Sequence, residues 1–186
     1  MQDDIQNSVD TLRKGGIILF PTDSIWALGC DATNMHAINK LFAIKQKTEN
    51  RTMELLVHSI ETMYRYADVP DIANQLIEFA SKPTTLVLFN AQGVAPTLIS
   101  DDTSIAIRVV KEPFVNELLK KIKFPLISTS ANVYNKPFPS NYRDIDAVII
   151  EQADYVVRYR QHDTTKCTHS SVISLKPNGE VKVIRE

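Results

Sequence analysis

The chain has 186 residues, of which 44% are hydrophobic and 23% are charged, and its formal net charge is −1. This composition is typical of a globular protein, and the near-zero charge argues against a protein that coats nucleic acid nonspecifically. The two cysteines, Cys30 and Cys167, are far apart and suggest no disulfide framework. No apolar run reaches the ~20 residues of a membrane span, and the polar start has no signal-peptide pattern. We therefore expect one cytoplasmic domain over residues 1–186.

The first elements are a helix and a buried strand. Apolar residues at helical spacing predict a helix over 3–14, which Gly15 and Gly16 end. The continuous apolar run over 16–20 predicts a strand buried on both faces. Residues 22–24, Thr-Asp-Ser, follow at its carboxyl end, where ligands bind in open α/β sheets. Taken alone, this polar stretch is more typical of a turn.

A basic loop follows the second helix. Asn34 is placed to cap this helix, which we expect to end near Lys45. Residues 45–52 are polar and carry Lys45, Lys47 and Arg51, a pattern that indicates either an anion site or a solvated loop. A strand over 53–57 comes next and leaves His58 at its end.

One strand in the middle of the chain carries a charge. After helices over 60–66 and 71–80, the latter with Asp71 as its cap, and a strand over 84–89, residues 104–110 alternate between two faces. Arg108 shares the second face with Ala106 and Val110. A buried guanidinium needs an anionic ligand or a carboxylate, so Arg108 is either a ligand anchor or part of a structural ion pair.

The C-terminal part alternates helices and strands as well. The patterns predict helices over 113–122 and 144–151, strands over 125–129, 155–158, 171–175 and 181–185, and polar loops over 133–143 and 160–170. The strand over 125–129 runs into Ser130, Ala131 and Asn132. Strands alternating with helices predict an α/β domain with a mixed sheet.

Hydroxyl groups and cations gather at the predicted strand ends. The sequence has neither a GxxxxGK[ST] loop nor a GxGxxG loop, so neither of these phosphate sites is present. Small donors together with cations are what a triphosphate needs, because its oxygens accept hydrogen bonds and its charge must be neutralised. The spacing of Cys30, His36, Cys167 and His169 matches no zinc pattern, so we expect no metal site in the protein.

Several segments, in this order, resemble the YrdC/TsaC family of threonylcarbamoyl-AMP synthases. They are PTDSIWALGCDAT (21–33), IKQK (44–47) before LLVHS (55–59), KPTTLVL (82–88), SIAIRV (104–109), PLISTSAN (125–132) and SSVISL (170–175). The resemblance implies a twisted mixed sheet with flanking helices around a concave groove. It also implies a reaction in which L-threonine, bicarbonate and ATP give threonylcarbamoyl-AMP and pyrophosphate, for threonylcarbamoyladenosine formation in tRNA.

The resemblance also implies roles for individual residues. ATP would contact Lys45, Lys47, Arg51, Ser104, Ser130, Asn132 and Arg185, and threonine would contact Thr22, Ser24, His58, Arg108, Ser128 and Ser170. Lys45, Lys47 and Arg108 would act directly in the reaction, with Arg108 on the threonine carboxylate. Mg²⁺ would enter with ATP, and a threonylcarbamoyl-transferase complex would use the product.

The sequence departs from the family at one signature cation and leaves other functions open. Lys47 stands where the family usually has arginine, and lysine cannot form a bidentate fork. The chain resembles the short form, without a further C-terminal domain. The alternatives are a YciO-like paralogue, an RNA-binding module whose groove would show steep salt dependence, and a ligand-binding regulator without turnover.

Overall fold

The computed structural model describes residues 1–45 and 53–186. Its helices are α1 (Gln2–Arg13), α2 (Met35–Lys45), α3 (Ile60–Met63), α4 (Ile72–Glu78), α5 (Pro113–Lys121) and α6 (Ala147–Gln152). Its strands are β1 (Ile18–Phe20), β2 (Ala27–Asp31), β3 (Glu54–Val57), β4 (Thr84–Leu88), β5 (Ile105–Val109), β6 (Leu126–Ser130), β7 (Tyr155–Val156), β8 (Ser171–Leu175) and β9 (Val181–Arg185). None of the helices in these two ranges is long and apolar enough to cross a bilayer.

Within the described ranges the strands form one nine-stranded sheet in the order β7-β1-β2-β6-β3-β5-β4-β8-β9. The pairs β1–β7, β3–β5 and β4–β8 are parallel, and the other neighbouring pairs are antiparallel. The expected α/β fold with a mixed sheet is therefore confirmed. Strands from the first and second halves of the chain are therefore interleaved in the sheet.

The two faces of the sheet are covered differently. On one face, α2, α3, α4 and α6 contribute to a large apolar cluster with alternate residues of β2 to β6, such as Leu28, Leu55 and Ile107. On the other face, α1 and α5 pack together over β1, β2 and neighbouring parts of β3 and β6. The residues of β5 divide between the faces as the alternation predicts, with Ile105 and Ile107 in the first cluster. The part of the second face that α1 and α5 leave uncovered forms a groove.

Most predicted elements are confirmed, with shorter bounds in several cases. The helix expected over 60–66 ends at Met63, and the strand expected over 155–158 has only two residues. Asn34 caps α2 as expected, because its Oδ1 accepts hydrogen bonds from the backbone N–H of His36 and Ala37. Asp71 precedes α4, but its side chain makes no capping bond, so that part of the prediction was wrong.

β2 is the strand that the sequence patterns did not reveal. Its residues, ALGCD, include no β-branched side chain, and Gly29 lies at its centre. A Cβ at Gly29 would lie 2.8 Å from the carbonyl oxygen of Ile127 and 2.9 Å from the ring of Phe20. Glycine is therefore needed here because the ring of Phe20 packs directly against the β2 backbone.

Candidate active site

A groove of about 650 Å³ lies on the side of the sheet that α1 and α5 leave open. Its floor comes from β3, β4, β5, β8 and β9, and its walls come from the turn after β1, the end of α2 and the segment after β6. The predicted site residues that line it are Ser24, Lys45, Arg108, Ser130, Asn132, Ser170 and Arg185. The sequence therefore predicted residues from six separate segments that the fold brings to one cavity.

Arg108 lies at the bottom of the groove and is 1% exposed. Its Nε and Nη2 donate to Oε1 of Glu54, at 3.1 and 2.7 Å, and its Nη1 donates to Oδ1 of Asp23. Burial opposes the charge, but the two carboxylates outweigh it and raise the pKa of Arg108, so the guanidinium is charged. The structural ion pair considered for Arg108 is therefore present. These bonds use three of its five N–H donors.

Lys45 is held in the opposite wall. Its Nζ donates to the backbone oxygens of Ser130 and Asn132, to Oδ1 of Asn132 at 2.7 Å and to Oγ of Ser130 at 3.3 Å. Oγ of Ser130 also donates to Oδ1 of Asn132 at 2.6 Å, and the amide of Asn132 donates to the backbone oxygen of Lys136. The last residue of α2 thus fixes the turn after β6, which places a cation, a hydroxyl and an amide together at the groove.

The turn after β1 has a fixed arrangement of hydroxyl groups. Oγ1 of Thr22 donates to the backbone oxygen of Ile25 at 2.7 Å and accepts from the backbone N–H of Ser24 at 3.0 Å. Because Thr22 has a single hydroxyl proton, the 3.0 Å contact between the two side chains has Ser24 as its donor. Arg160 donates to the backbone oxygen of Thr22 and pairs with Asp163, which holds the turn from outside.

A row of polar side chains crosses the floor from β3 to β9. Oγ1 of Thr85 donates to Oε2 of Glu54 at 2.7 Å and contacts Oγ of Ser170 at 2.8 Å. Nη2 of Arg185 donates to Oγ of Ser170 at 3.2 Å, and its Nε donates to the backbone oxygen of Ser170 at 3.0 Å. Sequence reasoning missed Glu54 and Thr85, although the alternation of TTLVLF after Pro83 could have placed Thr85 on the face of Arg108.

One wall of the groove is apolar and aromatic. Phe138 meets the ring of His169 edge-on at a centroid distance of 3.9 Å, and Tyr134, Val172 and Ile184 also line this side. Burial lowers the pKa of His169, and the charge of nearby Arg185 lowers it further, so the imidazole is neutral at pH 7. An uncharged aromatic wall of this kind suits a planar ring. No role was expected for Tyr134 or Phe138 from the sequence patterns.

Other predicted site residues do not line the groove. His58 is exposed beyond the end of β3, where its Nε2 lies 3.2 Å from Oγ1 of Thr62. Ser104 donates to Oδ1 of Asp102 at 2.6 Å. Ser128 is buried in β6 opposite Glu54, and its hydroxyl has no hydrogen-bond partner among the described residues.

Two of the predicted cations, Lys47 and Arg51, lie outside the described residues. Within residues 1–45 and 53–186, no group of three His, Cys, Asp or Glu side chains is arranged to hold a metal ion. Cys30 is buried, which raises the pKa of its thiol, and Cys167 lies in a separate loop. The structure therefore brings neither cysteine into a site with the other.

The sequence matches a known protein family over most of its length. The sequence model of the Sua5_yciO_yrdC family, described as "Telomere recombination", matches residues 10–186. The chain belongs to this family.

Curated relatives with similar sequences have informative names. A "Putative threonylcarbamoyl-AMP synthase" of Methanocaldococcus jannaschii is 31% identical over 173 residues, covering 92% of this chain and 76% of the relative. A "Threonylcarbamoyl-AMP synthase" of Stenotrophomonas maltophilia is 30% identical over 158 residues, covering 82% of this chain and 84% of the relative.

Solved structures with the same fold include two branches of the family. E. coli YciO has a TM-score of 0.83 and 25% identity, covering 100% of this chain and 90% of that protein. P. abyssi Sua5 in complex with L-threonine has a TM-score of 0.79 and 22% identity, covering 92% of this chain. This chain spans half of the Sua5 chain. At these identities, the likeness to Sua5 supports the fold alone.

Proposed function

We propose that the protein is an L-threonylcarbamoyladenylate synthase, which forms threonylcarbamoyl-AMP and pyrophosphate from L-threonine, bicarbonate and ATP. The observation that carries this proposal is the meeting of two polar clusters in one groove, Lys45 with residues 130–132 and Arg108 with Ser24 and Ser170. The volume of about 650 Å³ is within the range of small-molecule sites. The names of the relatives support the same reaction.

The nucleotide occupies the side of Lys45. Lys45, Ser130 and Arg185 line the groove, where the charges of the two cations attract a triphosphate. The neutral wall of Phe138 and His169 then receives the adenine ring. Lys47 and Arg51 remain proposed partners of the phosphates, and Ser104 remains a proposed nucleotide contact.

Mg²⁺ belongs with the nucleotide in this proposal. Glu54 and Asp23 are committed to Arg108, so the described residues fit an ion that arrives bound to phosphate oxygens and water. When bound, such an ion neutralises charge on the phosphates during pyrophosphate departure.

Threonine occupies the side of Arg108. The guanidinium of Arg108 binds the carboxylate, and the hydroxyl groups of Ser24 and Ser170 contact the other polar groups. The structure of Sua5 with L-threonine supports an amino acid site in this fold. Ser128 lies in β6, which β3 separates from the strand of Arg108. It remains a proposed part of this pocket, as do Thr22 and His58.

The chemistry asks mainly for orientation. A carbamate forms from the threonine amine and bicarbonate with loss of water, a carbamate oxygen attacks the α-phosphorus, and pyrophosphate leaves. Lys45 stabilises charge on the phosphates, and Arg108 holds the amino acid so that the carbamate faces the α-phosphate. Closing both substrates in one groove also keeps water from the carbamate. A threonylcarbamoyl-transferase complex then uses the product on tRNA in the cytoplasm, and the direct contact of this protein with tRNA or RNA is weak.

One incubation tests the proposal. The protein is mixed with ATP, Mg²⁺, bicarbonate and L-threonine, and the adenylate is identified by mass while pyrophosphate is measured. We expect product only when ATP, Mg²⁺, bicarbonate and threonine are all present. Product formed in degassed buffer without bicarbonate contradicts the mechanism, and absence of product under all conditions favours a YciO-like protein without this activity.

A further inference from the structure

The polar row on the groove floor has a direction. Glu54 is held by two N–H groups of Arg108, and as a carboxylate it only accepts hydrogen bonds. The 2.7 Å contact between Thr85 and Glu54 therefore uses the single hydroxyl proton of Thr85. In the 2.8 Å contact between Thr85 and Ser170, the proton must then come from Ser170. Arg185 donates to Ser170 in turn, so every bond in the row points towards Glu54.

This direction decides what Ser170 offers to a ligand. Its only hydroxyl proton is used inside the protein, and one of its lone pairs accepts from Arg185. A lone pair remains for the groove, so Ser170 is an acceptor towards bound molecules. Ser24 has the same property, because its proton is committed to Thr22.

We propose that Thr85 is a positioning residue that fixes Ser170 as a hydrogen-bond acceptor for an N–H or O–H group of the bound amino acid. This inference rests on the proposed function and adds a residue that the resemblance did not assign. Thr85 is 2% exposed, so it acts through Ser170 and Glu54. The same hydroxyl also holds the carboxylate that orients Arg108, so one side chain supports both ends of the amino acid site.

Neighbouring threonines provide a matched pair of variants. Thr85→Val keeps the shape of the side chain and removes the hydroxyl group. Thr84→Val makes the same change in the same strand, but the hydroxyl of Thr84 bonds the backbone oxygen of Lys82 on the other face of the sheet. Thr85→Ser keeps the hydroxyl and removes only the methyl group.

Steady-state kinetics with each substrate varied separately provide the first test. Thr85→Val raises the KM for threonine about tenfold, equivalent to one hydrogen bond, while the KM for ATP and kcat stay within about threefold. Thr84→Val leaves the KM for threonine unchanged, and Thr85→Ser restores it to within about threefold. A purely structural role would instead lower the active fraction, and so kcat, without changing the KM for threonine.

NMR of the wild-type protein provides a second test that does not depend on a variant folding. In an equal mixture of H2O and D2O, slowly exchanging hydroxyl groups split the attached 13Cβ resonance into two lines. We expect two lines for Thr85 and for Ser170. A single averaged line for Ser170, or an active Thr85→Val protein with the wild-type KM for threonine, overturns the inference alone. A wild-type protein that makes no product overturns the proposed function and this inference with it.

Discussion

Removing the guanidinium of Arg108 tests how much of its role is structural. Arg108→Ala leaves the carboxylates of Glu54 and Asp23, which are 21% and 14% exposed, without their cation. Breaking a buried ion pair by removing one partner destabilises a protein by about 3–5 kcal/mol. The 186-residue chain has an unfolding entropy of roughly 0.4 kcal/mol/K, so the melting temperature should fall by about 8–13 °C.

Thermal unfolding followed by circular dichroism measures this change, with Lys120→Ala as the control. Lys120 forms an exposed ion pair with Glu117, and its removal should leave the melting temperature unchanged. Below the melting temperature of Arg108→Ala, titrations should show threonine affinity reduced by about 2–5 kcal/mol and ATP affinity retained.

A second substitution distinguishes the effect of the uncompensated carboxylates on stability from the effect of lost packing. If the uncompensated carboxylates cause the destabilisation, adding Glu54→Gln to Arg108→Ala should recover about 1–2 kcal/mol, because only one carboxylate then remains beside the empty position. The destabilising role of the uncompensated carboxylates is refuted if the double variant is less stable than Arg108→Ala by the full effect of Glu54→Gln alone. It is equally refuted if Arg108→Ala melts at the wild-type temperature.

Three further results are expected. The hydrogen bonds of Tyr155 and of two backbone N–H groups to Asp4 outweigh its burial and lower its pKa, so Asp4→Asn should destabilise the protein by about 1–3 kcal/mol at pH 7. The wild-type protein loses this advantage as the pH falls below about 4, so denaturation curves of the two proteins should converge there. Lys45→Gln should reduce kcat/KM for ATP by roughly 100-fold, whereas Lys40→Gln in the same helix should leave it unchanged. Pyrophosphate release should favour threonine over serine by about 10–200-fold, and 2-aminobutyrate should be a poorer substrate than serine, a ranking that fails if the pocket reads shape alone.

The strand of Arg108 shows how far the sequence could be interpreted. Its alternation predicted both faces correctly, and the charge in its middle predicted an anionic partner, either a ligand or a carboxylate, of which the structure shows the carboxylate. The partners could not be identified, because Glu54 and Asp23 lie 54 and 85 residues away in the chain. Such pairings depend on which strands become neighbours, and the order of strands is set by packing of the complete sheet.

Segments whose residues show no clear pattern were the other limit of sequence interpretation. β2 was missed because its small residues lack a strand pattern, and Thr85 was overlooked inside an apolar run. Lys45, Ser130 and Asn132 were assigned through the family resemblance, and the structure places them within hydrogen-bond distance of one another. His58 was assigned through the same resemblance, and the structure places it outside the groove, beside Thr62.

The interleaved sheet has a consequence for how the chain folds. Ile18 pairs with Tyr155, and Thr84 pairs with Ser171, so these strand pairings join distant parts of the chain. Such a high contact order predicts slow folding, and no early fragment emerging from the ribosome contains both walls of the groove. The chain passes through Ser24 long before it reaches Arg185 in β9. Competence to bind the substrates is therefore acquired only after both segments have been synthesised and have taken their places at the groove.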